Sequence, residues 1–505
     1  MINNSRKQVA ILIALFVLIN AILLSSIHLL PFIDLPNHLA EATIFKYYEP
    51  GNLISEYYQP TPWYFPNTFH TVFCSLFPSV EWGNKIFHIC YILGLQLSVF
   101  LVIKELDGNP WYGFLSVLFT YNYNLTFGFV GFAVSLPALI FLFYAVLLYF
   151  RTRKFYLNFV IALILVLLFF MHAQNALMGL VLYGFMLLYH FRKTFKHLII
   201  HALTVPVPLV ILIFTWWFSR EPLQEEQSTL DYLKTYYASS YLQDFVIRFR
   251  IVVFDNFQLQ EGLAGLLIAA FFFTCLLVPI ALARPWRKKL ASPAITANVV
   301  YAGMFFIITF FCYLLVPDKL PGQTPIFQRF CTIVILAFII VVSIYLKDVS
   351  TAPLKYFVIT TAILYTLLWA EYMISFNGAN KGFNESFFEG LRPKEKLAGL
   401  IYDNQYRGRK VYIHFPNYYL VWQQGITASK IIDYRFGVVH RIASEAALPF
   451  YHELIGEDYR YMPQYSDLGW LLVRGAAPIT PDPNLHAFEP YKEVGKWKLY
   501  RHAER

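Results

Sequence analysis

The sequence predicts a polytopic α-helical membrane protein, with about eleven transmembrane helices and a small C-terminal extracytoplasmic α/β domain. Composition is the first observation behind this. Of 505 residues, 58% are hydrophobic and only 14% charged, and the mean hydropathy is +0.50. A soluble domain covers its surface with roughly 25% charged residues. The second observation is that the apolar residues come in long blocks, where about 18 or more such residues are enough to cross the hydrocarbon layer. Third, the tail beyond residue 375 returns to an ordinary soluble composition with mixed charge.

The blocks fall at 9–30, 86–103, 110–121, 129–150, 155–171, 175–190, 198–218, 262–283, 294–316, 328–346 and 356–375. The first follows the basic stretch MINNSRKQ and is too long for a signal-peptide core, so it is expected to be an uncleaved span. The third is short, and YNYNLTFGF after it suits a tight break between two helices. There Asn122 and Asn124 can satisfy freed backbone groups.

Charge sets the orientation. With the N-terminus cytoplasmic, the inner segments hold fifteen Lys and Arg against three acidic residues, and RTRK, FRKTFK and RPWRKK all fall on that side. The outer segments before the tail hold eight basic residues, counting Arg329 at the outer end of the tenth block, and thirteen acidic ones. The positive-inside rule therefore places the N-terminus in the cytoplasm and the C-terminal domain outside, in a multi-pass cytoplasmic (inner) membrane protein. The domains are 1–375, a transmembrane domain with long outer loops at about 31–85 and 219–262, and 376–505, an extracytoplasmic α/β domain. Within the tail, RPKEKLAGLIYDNQYRG has the spacing of a helix ending at Gly408. KVYIHF and GWLLVR suit buried strands, and KEVGKWKLYRH suits a closing hairpin.

The net charge of +9 resides in topology-setting loops rather than in a basic, aromatic-interleaved face, which excludes nucleic acid as a partner. The five cysteines form no CxxC pair and lie in or beside apolar spans, so they are expected to pack as small apolar residues.

The most informative segment is LPFIDLPNHLAEATIFKYY, where the first span ends. Pro36 can open a helix, with Asp34 before it as a cap. Asp34, His38 and Glu41 then share one face at i, i+4 and i+7, opposite apolar Leu35, Leu39 and Ala42. An interfacial amphipathic helix results, and its carboxylates and imidazole suit general-base work on a hydroxyl acceptor. The plainer alternative leaves Asp34 as a cap and His38 and Glu41 as a wetted face. A divalent metal ion is a further option, although two ligands one turn apart are few.

A carboxylate just after the first span, leading into a juxtamembrane helix, resembles the GT-C class of integral membrane glycosyltransferases. So does the plan of about eleven spans, a long first outer loop and a C-terminal α/β domain. These enzymes, among them protein mannosyltransferases and aminoarabinose transferases, use polyprenyl-phosphate-linked sugars. In motif the resemblance rests on DLPNHLAE. It implies Asp34 as catalytic base, a polyprenyl-phosphate sugar donor, and a lipid, glycan or protein acceptor. His38 and Glu41 have no such firm counterpart and are expected to position substrate.

The leaving lipid phosphate calls for a cation, and KLPGQTPIFQRF offers Arg329 with Lys319 nearby. Arg329 could instead only snorkel to the interface. His172 in FMHAQNALMG is expected in a polar turn that could line a cavity. His70, with Tyr57, Tyr58, Trp63 and Tyr64, could stack on a sugar or on isoprene units, or simply sit at the interface. Glu225 and Glu226 suit a solvated patch, and Glu371 lies near the outer end of the last span.

There is no P-loop, GxGxxG or nucleophile elbow, and no cytoplasmic loop long enough for a nucleotide-sugar fold. An activated donor must then come from within the membrane. A transporter or flippase would usually carry mid-span charges, which are scarce here. A lipid-linked polysaccharide polymerase or ligase shares the donor, but such families place their large loop late in the chain. A non-catalytic subunit of the same fold is a further alternative.

Overall fold

A computed structural model describes residues 2–219, 229–253, 256, 263–282, 293–320, 324–347, 352–428, 437–442, 468–475 and 488–503. Glu225, Glu226 and the RPWRKK loop lie outside them. Among the described residues six helices are long and apolar enough to cross a membrane: Asn4–Ser26, Val80–Glu105, Val130–Thr152, Ala297–Leu315, Phe327–Tyr345 and Leu354–Ala379. A bent pair, Phe195–Thr204 with Val207–Ser219, makes a seventh if counted as one span. Tyr156–Met171, Ala173–His190 and Leu263–Leu282 are further apolar helices. Leu18, Ile22, Leu163, Ile307, Ile363 and Leu367 are 51–61% exposed. Apolar side chains so placed on apolar helices suit contact with lipid rather than water.

The described residues form two compact units: Met1–Leu23, His88–Leu125 and Phe129–Trp369 in one, Leu24–Phe87, Thr126–Gly128 and Ala370–Arg505 in the other. In the first unit, polar contacts collect the basic helix ends. Asp107 accepts from Arg6 at 2.9 Å and from Lys347, and Arg151 meets Glu105 at 2.9 Å. Lys355 reaches Gln8 at 3.3 Å, and Asn298 donates to the Leu106 carbonyl at 3.1 Å. Ends that the charge rule assigns to one side thus lie together in this unit.

The third apolar stretch departs from the sequence reading. It is a five-residue helix, Pro110–Phe114, followed by a 3-10 turn, Leu115–Phe119, and is buried throughout. No single helix there is long enough to cross a bilayer. The segment instead runs beside the Phe327–Tyr345 helix, from Asn109 N–H on the Ser343 carbonyl (2.9 Å) to Asn124 Nδ2 on the Arg329 carbonyl (2.8 Å). Fourteen residues separate those carbonyls, about 21 Å of helix. Irregular backbone at membrane depth must have its polar groups satisfied by protein. Here Tyr91 donates to the Thr120 carbonyl, Gln96 bonds Thr120 and Ser116, and Tyr121 reaches Asn20. Asn122 Oδ1 accepts from Asn124 N–H at 2.9 Å, the expected turn.

The second unit carries the strands: β1 Tyr58–Pro60, β2 Lys396–Ile401, β3 Gln405–Tyr406, β4 Arg409–Lys410, β5 Val439–Arg441, β6 Leu468–Arg474, β7 Phe488–Val494 and β8 Trp497–His502. A four-stranded sheet runs β2-β6-β8-β7, with β2 parallel to β6 and the rest antiparallel. GWLLVR is a buried strand, and KEVGKWKLYRH closes as a hairpin around Gly495 at φ +59. Two local expectations fail. KLAGLI is strand β2 rather than a helix: Leu397 to Ile401 are all buried, as in a strand covered on both faces. KVYIHF leaves the short β4 at once and turns through Tyr412 and His414 into a 3-10 turn, Phe415–Asn417. Antiparallel pairing of β1 with β5 over three residues also ties the first loop to the tail, with Tyr58 opposite Arg441.

Candidate active site

The second unit gathers Asp34, His38, Glu41 and His70. The helix Leu35–Tyr47 carries Pro36 in its first turn and Asp34 at its N-cap. The cap is made by backbone alone: Asp34 carbonyl accepts from Asn37 and His38 N–H at 3.1 and 3.2 Å, and the side chain forms no cap bond. Its carboxylate is therefore available for something else. The expected amphipathic interfacial helix is not found. Asn37 and Glu41 are as buried as Leu35, Leu39 and Ala42, because the first loop and the tail cover the polar face as well.

The TFG segment pins Asp34 from one side. Ile33 and Asp34 N–H donate to the Thr126 and Phe127 carbonyls at 3.2 and 3.3 Å. Gly128 follows at φ +101, and a Cβ there would lie 2.5 Å from the Asp34 nitrogen. Only glycine allows that approach. Its carbonyl then meets His38 Nε2 at 2.9 Å, while His38 Nδ1 lies 3.1 Å from Glu41 Oε2. A carbonyl only accepts, so Nε2 carries a hydrogen and one further proton is shared between Nδ1 and Glu41.

Burial alone would pull the His38 pKa down. The Glu41 hydrogen bond and charge, with the Asp34 charge and the Gly128 carbonyl, outweigh it and raise the pKa above 6.5. This pair therefore stabilises the fold fully below about pH 6.5 and loses that increment as pH rises through the raised value. Glu41→Gln should move the His38 titration to lower pH in an imidazole NMR series and flatten that part of the stability profile. An unmoved titration would show that Glu41 does not hold the proton.

From the tail comes a residue that sequence reasoning missed. His414 Nε2 is 3.4 Å from Asp34 Oδ1, and the two side chains are 11% and 19% exposed. Three residues on, Asn417 donates to Asn37 and accepts from Thr427 at 3.0 Å. Asp34 and Asn37 on the helix thus engage His414 and Asn417 on the turn at matched i, i+3 spacing. His70 lies beneath His38, 3% exposed, with its ring edge-on at 5.7 Å and Nε2 3.0 Å from Asn84 Oδ1. That placement is an inner support rather than a surface on which a sugar could stack. Tyr58 is likewise buried, in strand β1, whereas Trp63 is 76% exposed.

The first unit brings together His172 and Arg329. Arg329 is 9% exposed; Nε donates to the Pro325 carbonyl at 2.8 Å, Nη1 lies 3.4 Å from His172 Nε2, and the guanidinium stands 4.0 Å over the Phe129 ring. An exposed, snorkelling arginine would not be held this way. Burial, then the Arg329 charge, keeps His172 well below its usual pKa, so the ring is neutral and accepts from the guanidinium. Lys319 is exposed in the preceding loop. Glu371, in the second unit, forms a bidentate pair with Arg407 at 2.7 Å for both bonds. Among the described residues no group of three or more His, Cys, Asp or Glu is placed to hold a metal ion. His38 and Glu41, the pair that could have begun such a site, bond each other.

The chain has a GT-C-type fold. Its structure is similar to the crystal structure of ArnT from Cupriavidus metallidurans bound to undecaprenyl phosphate, with a TM-score of 0.55 over 98% of both chains. At 10% sequence identity the likeness is one of fold. No family model matches the sequence, and no curated protein matches it in a sequence search.

Proposed function

We propose that this protein moves a sugar from a polyprenyl-phosphate carrier to an acceptor hydroxyl at the outer face of the cytoplasmic membrane, with Asp34 as general base. The observation that carries the reading is the Asp34 carboxylate. It occupies a cap position without capping, its backbone is locked by the TFG segment, and it stays partly open to solvent. The fold supports it too, since the similar ArnT structure holds undecaprenyl phosphate. In the proposed step the acceptor oxygen attacks the anomeric carbon and its proton passes to Asp34. The carbon–oxygen bond to phosphate breaks, and its electron pair leaves with the lipid phosphate.

His414 and the His38–Glu41 pair hold Asp34 in place and set its electrostatic surroundings. Arg329, kept cationic against neutral His172, is the proposed partner of the carrier phosphate, a role suited to a guanidinium. The assay is release of lipid phosphate by purified protein from a panel of polyprenyl-phosphate sugars. Release that depends on acceptor is expected; no release from any donor would sink the enzymatic reading. Separately, Arg329→Ala should weaken carrier-phosphate binding about tenfold or more, the scale of a lost charged hydrogen bond. Unchanged affinity would leave Arg329 a structural residue.

A further inference from the structure

The helix Tyr241–Val253 is built inside out. At 100° per residue, Leu242, Phe245, Val246 and Phe249 fall within one stripe about 100° wide. They are 82%, 53%, 71% and 65% exposed. Outside that stripe the helix buries Arg248, 2% exposed, and Ile251, 6% exposed. A helix on a water-facing surface does the reverse, so water is not what this stripe meets.

Arg248 explains why the charge turns inward. It donates to the carbonyls of Tyr313 and Val316, the latter at 2.7 Å, and to Tyr236 Oη at 2.8 Å, with its guanidinium 3.8 Å over the Phe327 ring. Tyr237 donates to the Leu315 carbonyl, and Tyr313 Oη returns a bond to the Arg248 carbonyl. These carbonyls lie at or just past the C-terminal end of the Pro293–Leu315 helix, where a helix leaves carbonyls to be satisfied from outside. A cation there also meets the negative end of the helix dipole. The Tyr241–Val253 helix is thereby clamped to the end of an apolar, membrane-length helix. That helix itself exposes Ile307, Phe311 and Leu315 (51%, 50% and 48%). The two exposed apolar surfaces thus belong to helices bonded together, one of them long enough to cross the bilayer.

We propose that this helix lies in the membrane interface, with Leu242, Phe245, Val246 and Phe249 inserted among lipid acyl chains. The occupant is bulk lipid, because the helix that carries the stripe is bonded to the end of a candidate span whose own apolar side chains are exposed. Interfacial helices bury such a face to the depth of the headgroup–acyl boundary. The inference does not depend on the glycosyltransferase reading.

The test places a dansyl-bearing residue at Val246 or, separately, at Lys234, whose side chain is 79% exposed. The full-length protein is reconstituted into phosphatidylcholine vesicles containing lipids with a nitroxide high on the acyl chain. Quenching at Val246 should exceed that at Lys234 at least roughly twofold, with aqueous iodide giving the reverse order. Equal iodide access at both positions would overturn the proposal. So would protection of Val246 from both quenchers, which would mean that protein, a second copy included, covers the stripe.

Discussion

Asp34→Asn is expected to reduce turnover by at least about 100-fold, the scale of a lost general base. The amide keeps the size and shape of the carboxylate. It sacrifices no helix cap, because the cap is made by the Asp34 carbonyl and not by its side chain. The Ile33 and Asp34 N–H bonds to Thr126 and Phe127 involve only backbone and survive. An amide oxygen can still accept from His414. Helical content by circular dichroism and carrier affinity should therefore match wild type while release of lipid phosphate collapses. A loss smaller than about threefold with folding intact would remove Asp34 from the chemistry.

The second large effect is expected at Gly128, which touches no substrate in the proposed mechanism. Gly128→Ala forces an L residue into φ +101 and brings a Cβ to 2.5 Å from Asp34 N and 2.6 Å from Asp34 Cβ. Backbone held in such a region costs about 1–3 kcal/mol, and the clash with Asp34 adds to it. Both consequences fall on one spot: Asp34 moves, and the carbonyl that fixes His38 moves with it. The variant should show a lower thermal midpoint and lose about tenfold or more in turnover even below that midpoint. Gly184→Ala is the matched control, since nothing lies within 4 Å of a Cβ there. Equal behaviour of the two variants would show that the TFG segment does not position Asp34.

The site was legible in part. Asp34, His38 and Glu41 stand out by helical spacing, and the structure joins two of them directly through His38 and Glu41. Their surroundings were not legible, since a helix wheel shows which residues share a face but not what covers it. Two carboxylates and an imidazole on one face suggested a wetted surface. In the fold Glu41 is buried and bonded to His38, while Asn37 on the same helix is bonded by Asn417 from the tail. His414 lies 380 residues from Asp34 in a stretch whose pattern suggested a strand, and no local signal marks it. Gly128 left a faint trace, a lone glycine between aromatics in a predicted tight break.

By itself the sequence determined the class of protein. Apolar blocks too long for a soluble core, basic clusters in alternate loops and a soluble-type tail are matters of composition and period, and both act locally. They placed helices at the apolar blocks other than the third, six or seven of these among the described residues being long enough to cross a membrane, and the hairpin near the C-terminus. Only the tertiary structure decided that the third apolar stretch is a broken, protein-covered segment and that KLAGLI is a strand. It also decided that a histidine from the tail meets Asp34 and that an arginine faces inward while a row of large apolar side chains faces out. Each of those depends on which distant groups satisfy a backbone carbonyl or a charge. That is a property of contacts across the chain, which no window of residues contains.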